Sequence, residues 1–161
     1  MPRLLLVHHA PTDTVASLAG AVVAGAHDDA IEGVDVQVRP ALEATAADVL
    51  AADGLVLGTP ANFGYMSGAL KHFLDTVFLE VGGALSEDGS AGGARAGRTP
   101  YGLWVHGRHD TTGAVRSVET IAGALPWRRA AEVLTVLGDV DDDARAAGYE
   151  LGATLAALVS G

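Results

Sequence analysis

The chain has no cysteine. A thiol nucleophile, a disulfide framework and thiolate metal sites are therefore excluded. It has a single lysine, Lys71, and only 10 basic residues against 20 acidic ones, a formal net charge of −10. Such a surface repels phosphodiester backbones and anionic lipid, so neither nucleic acid nor a membrane is an expected partner. Part of the excess is the acidic run at Asp139 to Asp143, read as a solvated helix start. Aromatics make up 5% of the chain. Long apolar runs are also missing. The first one, Leu4 to Val7, is too short for a signal peptide, and no stretch approaches the length of a membrane span. A soluble, cytoplasmic protein is expected.

What remains is rich in Ala, Val, Leu and Gly, with 49% of residues hydrophobic. That composition suits close helix–sheet packing, and 161 residues suffice for one domain, residues 1–161, with a proper core. Leu4 to Val7, Leu55 to Leu57 and Tyr101 to Val105 are continuous apolar runs, as expected of strands buried on both faces. Val34 to Arg39 alternates strictly, which predicts an edge strand. Glu132 to Leu137 is the last expected strand. Between them lie helical stripes: Val15, Leu18, Val22 and Ala26; Met66, Leu70, Phe73, Leu74, Val77 and Val81; Val115, Val118, Ala122 and Leu125; Ala144, Ala147, Leu151, Leu155 and Leu158. A short helix is expected over Ala44 to Ala52. Thr12 or Asp13, Ser67, and Thr111 or Thr112 are the expected caps, and Pro126 ends the fourth helix. Gly82 to Gly97 has no periodicity and reads as a connection.

Strict alternation of strand and helix implies a five-stranded, doubly wound parallel α/β sheet with helices on both faces. Central apolar strands and one alternating edge strand give the order 2-1-3-4-5. In such a sheet a ligand sits beyond the carboxyl ends of strands 1 and 3. The loop His8–Thr14 then lies beside Gly58–Met66, with His106–Gly113 next. The first loop carries neither a Gly-x-Gly-x-x-Gly dinucleotide fingerprint nor a P-loop. Nor does it carry the acids of a phospho-receiver domain. Thr12, Thr14 and the N–H groups of residues 12 to 15 form either a phosphate nest or a plain helix cap. Asp13 opposes a phosphate. In the second loop, Phe63 and Tyr65 either lie against a flat heterocycle or pack on the scaffold, while Asn62 and the backbone at Thr59, Asn62 and Gly64 offer polar contacts.

The stretch Gly58-Thr59-Pro60-Ala61-Asn62-Phe63-Gly64-Tyr65-Met66-Ser67-Gly68-Ala69-Leu70-Lys71-His72-Phe73-Leu74-Asp75 resembles the flavin loop of flavodoxin-like NAD(P)H-dependent FMN reductases and NAD(P)H:quinone oxidoreductases. The resemblance implies non-covalent FMN, with NAD(P)H as electron donor and a quinone or similar small molecule as acceptor. By position, Ala10, Thr12, Asp13, Thr14 and Val15 would surround the phosphate. Thr59, Pro60, Ala61, Asn62, Phe63, Gly64 and Tyr65 would line the ring and ribityl chain. Gly107, Arg108 and His109, with Asp110 and Thr111, would border the far edge. Arg108 or His109 would tune the reduced flavin by charge near its N1 edge. No side chain is required as acid or base. Ala10, Asp13 and Val15 depart from the family's phosphate loop.

Two other readings stay open beside the reductase: a flavodoxin-type electron carrier, and a flavodoxin-like binding protein with weak or lost FMN binding. His8, His9, His106 and His109 are expected to line the loops rather than hold a metal. Trp104 is expected in the core, and Lys71 and Asp75 are expected to pair. A homodimer is implied by the resemblance, with Phe73, Phe78 and Leu79 as contact residues.

Overall fold

The computed structural model describes residues 1–83 and 99–161. The elements are β1 (Arg3–His8), α1 (Asp13–Ala26), β2 (Asp35–Pro40), α2 (Ala46–Leu50), β3 (Gly54–Asn62), β4 (Tyr65–Met66), α3 (Gly68–Val77), β5 (Thr99–Gly107), α4 (Thr112–Ala122), β6 (Trp127–Arg129), β7 (Leu134–Leu137) and α5 (Asp142–Ser160). The parallel strands run β2-β1-β3-β5-β6, with β7 also beside β5. This is the expected doubly wound order, counted with one extra hairpin strand and a divided last strand.

Successive residues of a strand face opposite sides of the sheet, and each side has its own core. Leu4, Leu6, Val56 and Trp104 pack under α1 and α5, with Leu18, Val22 and Leu155. Leu5, Val7, Leu57, Leu103 and Val105 pack under the other helices, with Leu70, Phe73 and Val118. Each fully buried Leu or Phe contributes roughly 1.5–3 kcal/mol. Trp104 is in the core as expected. Phe73 is too, so it is not a contact residue for a second copy; Phe78 packs partly on the same core and Leu79 is exposed.

Local signals place the helix starts. The Thr12 hydroxyl accepts from Val15 N–H at 3.3 Å, Ser67 from Leu70 at 3.2 Å, and the Asp141 carboxylate from Ala144 at 2.8 Å. Thr45 and Asp48 form a capping box, which trims the expected Ala44–Ala52 helix to Ala46–Leu50. Lys71 pairs with Asp75 at 2.6 Å on the surface of α3, worth a few tenths of a kcal/mol.

Two departures are instructive. The last strand is split: β6 pairs with the start of β5 at Thr99–Tyr101, and β7 with its end at Trp104–Gly107. Trp127 is drawn in by its tilted packing on Tyr101, with ring centroids 6.2 Å apart. The face of α5 is also rotated from the expected stripe. Gly148 and Gly152 are buried with Leu151 and Leu155, and Leu158 is exposed. The cause is close crossing with α1. A Cβ on Gly152 would lie 2.0 Å from the Val22 carbonyl oxygen, and one on Gly25 would lie 1.9 Å from that of Tyr149. The connection expected over Gly82–Gly97 lies, beyond Gly83, outside the described residues.

Candidate functional site

The carboxyl ends of β1, β3 and β5 open into one cleft of about 220 Å³, lined by Thr12, Thr14 and Val15, by Pro60, Ala61 and Asn62, and by His106, Gly107 and Arg108. Three loops that are far apart in sequence thus meet where a doubly wound sheet places its ligand. His9 N–H donates to the Gly58 carbonyl at 3.1 Å and fixes the first loop on the second.

On the first loop, α1 begins at Asp13 with its positive dipole end toward the cleft. The backbone N–H groups of Thr12, Asp13 and Thr14 have no hydrogen-bond partner among the described residues. Asp13 is exposed beside them, and Ala10 is half-buried against the core under α1. Beneath lies His8, whose imidazole is tilted 48° to the Trp104 indole with centroids 6.2 Å apart. Burial, and then the charge on His9, push the His8 pKa below its ordinary value of 6.5.

The second loop is a tight hairpin. Asn62 pairs with Tyr65 and Ala61 with Met66, in antiparallel register. The two residues at its tip, Phe63 and Gly64, have φ of 52° and 76°. Positive φ at both central positions is the type I′ turn, which suits the twist of a two-residue hairpin. Glycine accepts this freely; phenylalanine does not, and Phe63 is the one non-glycine with positive φ among the described residues. Its ring is fully exposed, and Tyr65 is also exposed. The tip leans on α4 so closely that a Cβ on Gly113 would lie 2.1 Å from the Gly64 carbonyl oxygen. Gly58 has an equally direct reason to be glycine: a Cβ there would lie 2.0 Å from the Trp104 indole.

Thr59 does not reach the cleft wall. It is completely buried, its hydroxyl oxygen accepts from Ser67 N–H at 2.9 Å, and it lies 3.0 Å from the Ser67 hydroxyl and 2.8 Å from the Pro60 carbonyl. The pair braces the end of β3 against the cap of α3. This Thr59–Ser67 brace, which holds the loop's shape, is not legible as such in the sequence.

On the third loop, His106 is buried and its Nε2 lies 2.6 Å from the Gly138 carbonyl oxygen. A carbonyl only accepts, so Nε2 carries the proton. Gly138 N–H returns a bond to the Gly107 carbonyl at 2.8 Å. His106 therefore locks the end of β5 to the loop after β7. It also lines the cleft, as expected of a histidine in the loop that follows this strand. That locked loop carries Asp139, 3.4 Å from Arg108. Both are largely exposed, so the pair is weak. His109 is exposed and outside the cleft lining.

The structure thus brings together Thr12, Thr14, Val15, Pro60, Ala61, Asn62, Gly107 and Arg108 of the residues singled out in the sequence. Asp13, Phe63, Gly64, Tyr65 and His109 stand outside the lining, and Ala10 and Thr59 behind it. Among the described residues there is no group of three or more His, Asp or Glu placed to hold a metal ion.

The sequence profile of NADPH-dependent FMN reductases matches residues 11–130. A flavodoxin of Aquifex aeolicus is 35% identical over a match covering 53% of this chain and 45% of that protein. An NAD(P)H dehydrogenase (quinone) of Acidithiobacillus ferrooxidans is 32% identical over 47% of this chain and 46% of its own length. The chain thus spans about half the length of these curated relatives. An archaeal flavodoxin superposes with a TM-score of 0.77 at 15% identity, covering 99% of both chains. That likeness shows the fold. The profile match, which extends over most of the chain and includes every residue that lines the cleft, shows the family: the chain belongs to the NADPH-dependent FMN reductases.

Proposed function

We propose that residues 1–161 form one flavodoxin-like unit that binds FMN in this cleft and passes electrons from NAD(P)H to a quinone or similar small acceptor. The observation that carries the reading is the meeting of the three loops at the carboxyl ends of β1, β3 and β5, with N–H groups at the start of α1 that have no partner among the described residues and an exposed aromatic hairpin just outside the lining.

The residues present fit the cofactor. N–H groups of Thr12, Asp13 and Thr14, with the two threonine hydroxyls, would hold the phosphate at the start of α1. Pro60, Ala61 and the Asn62 amide would follow the ribityl chain. Phe63 and Tyr65 would cover the ring, with the Gly64 backbone close to it. Gly107 and Arg108 would close the far edge, and His109 would approach only from outside the lining. FMN supplies the hydride-accepting ring and the electron relay; the protein binds it, orients it and sets the charge around it. Arg108 would favour negative charge at the ring edge, and Asp139 would moderate it. Asp13 works against phosphate binding. No described side chain is needed to move a proton, consistent with His106 committed to Gly138.

The test is titration of FMN with the purified protein, followed by NADPH and NADH with a quinone acceptor. Flavin quenching and acceptor-dependent NAD(P)H oxidation are expected; absence of quenching refutes the reading. A flavodoxin-type carrier is the second reading, favoured by the charge of −10, which suits docking on a basic redox partner. A carrier would bind FMN yet oxidise no NAD(P)H without a separate reductase. A homodimer and a cytoplasmic location accompany the first reading; light scattering tests the dimer.

A further inference from the structure

His106 is the only histidine among the residues that line the cleft, and its bond to Gly138 uses one of its two ring nitrogens. Nε2 donates to the Gly138 carbonyl at 2.6 Å. The neutral ring then carries no proton on Nδ1, which is left as an acceptor. Nδ1 makes no hydrogen bond among the described residues, and neither nitrogen pairs there with a carboxylate that would favour the imidazolium. His106 is only 4% exposed. Yet no buried side-chain nitrogen or oxygen of the described residues lacks a partner, so Nδ1 is not sealed in the interior. The opening that His106 borders is the cleft.

The register says which part of a ligand it meets. His106 pairs with Pro60 on β3 and with Val136 on β7, at the carboxyl end of the sheet. Side chains alternate along a strand, so His106 shares the side of Trp104, which packs under α1 and α5. Thr12, Thr14 and Val15, at the start of α1, border the same cleft. The aromatic hairpin leans instead on α4, which covers the opposite side through Val118. His106 therefore stands with the phosphate end of the cleft and not with the hairpin.

The polar groups of the lining differ in what they can exchange. Arg108 only donates, the threonine hydroxyls and the Asn62 amide donate and accept, and Nδ1 of neutral His106 only accepts. A phosphate dianion has no proton to give, so Nδ1 cannot serve it. We propose that His106 is a ligand-selecting residue: Nδ1 accepts a hydrogen bond from a hydroxyl of the ribityl chain, and Nε2, held by Gly138, keeps the ring in that orientation. This rests on the FMN reading of the cleft. A ligand that covers Nδ1 without offering a hydroxyl leaves a desolvated acceptor unpaired, so the cleft favours a flavin carrying its polyol chain over the bare ring system.

Two substitutions divide the two nitrogens. A glutamine amide reaches about as far as Nε2 and can keep donating to Gly138. An asparagine amide reaches about as far as Nδ1 and can keep accepting in the cleft. Wild type, His106→Gln and His106→Asn are each titrated with FMN and with lumiflavin, which has the ring but no ribityl chain, and a melting curve is taken of each. His106→Gln is expected to melt like wild type yet bind FMN about 3–10-fold more weakly, with no loss for lumiflavin. His106→Asn is expected to melt lower, through the lost Gly138 bond, but to bind FMN better than His106→Gln. Nitrogen NMR of the FMN-free wild-type protein is expected to show the His106 proton on Nε2 and a bare Nδ1. A histidine with a structural role alone reverses the order, with His106→Gln binding FMN as wild type does and His106→Asn losing it. That reversal overturns the proposal. So does an equal loss of lumiflavin in His106→Gln, which places the contact at the ring, and so does a proton on Nδ1. Those results leave the FMN reading standing as long as the wild-type chain binds FMN; a wild-type chain that binds no flavin overturns both.

Discussion

Asp13 sets the strength of the phosphate end of the cleft. Its carboxylate sits in the first turn of α1, where it favours the helix dipole yet repels the dianion that the same N–H groups would hold. Asp13→Asn is therefore expected to tighten FMN by about 5–30-fold, for roughly 1–2 kcal/mol of relieved repulsion. It should also lower thermal stability slightly through the lost dipole contact. A fluorescence titration and a melting curve on one sample read these opposite signs. Phe63 makes the converse case. It holds a left-handed conformation that costs a side-chain-bearing residue about 1–2 kcal/mol, with its ring in solvent. Phe63→Asn restores the favoured Asn-Gly turn, so it should raise the melting temperature and weaken FMN binding. A variant that loses stability would show that the ring packs on the protein. His8 gives a pH dependence. Its folded pKa is lowered, so the unfolded chain binds the extra proton first. Stability is fully present above pH 6.5, and falls as pH drops below that value toward the folded pKa. Urea unfolding across that range should show the slope, and His8→Leu should flatten it.

At the scale of elements, the type and order of most helices and strands were legible because periodicity reports which faces are buried. The cap residues Thr12 and Ser67 could be read directly, as could the helix Gly68–Val77, although the expected stripe began at Met66, which lies in β4, and ran on to Val81. What could not be read depends on close approach between elements distant in sequence. The split of the last strand follows from Trp127 packing on Tyr101, a contact without local periodicity. The rotation of α5 follows from glycines that leave no apolar mark, so the apolar periodicity points through Leu158 instead. The hairpin at Asn62–Tyr65 carries no turn signal in the sequence, because its first central residue is Phe63 rather than asparagine or glycine. The α1–α5 crossing yields a paired prediction. Gly152→Ala drives a Cβ into the Val22 carbonyl and should destabilise the fold by about 1–3 kcal/mol. Gly20→Ala, on the open side of α1 with nothing within 4 Å, should stabilise it by up to about 1 kcal/mol. Urea midpoints of the two variants should move in opposite directions.

For the whole molecule, the sequence located the cleft through the fold: order 2-1-3-4-5 puts three particular loops at one end of one sheet. Which side chains reach the cleft depended on packing. Thr59 turned inward to Ser67, and His106 turned toward Gly138 while still forming wall. No helix of the described residues is long and apolar enough to cross a membrane. In a molecule with a charge of −10, Arg108 stands at the cleft rim beside Asp139. The most direct measurement of the central claim is the fluorescence of FMN titrated with the purified chain, followed by addition of NADPH without air. The account predicts quenching of the flavin in proportion to protein, tighter for Asp13→Asn, and bleaching of the bound flavin by NADPH. Unchanged flavin fluorescence with both the wild-type chain and Asp13→Asn would contradict it.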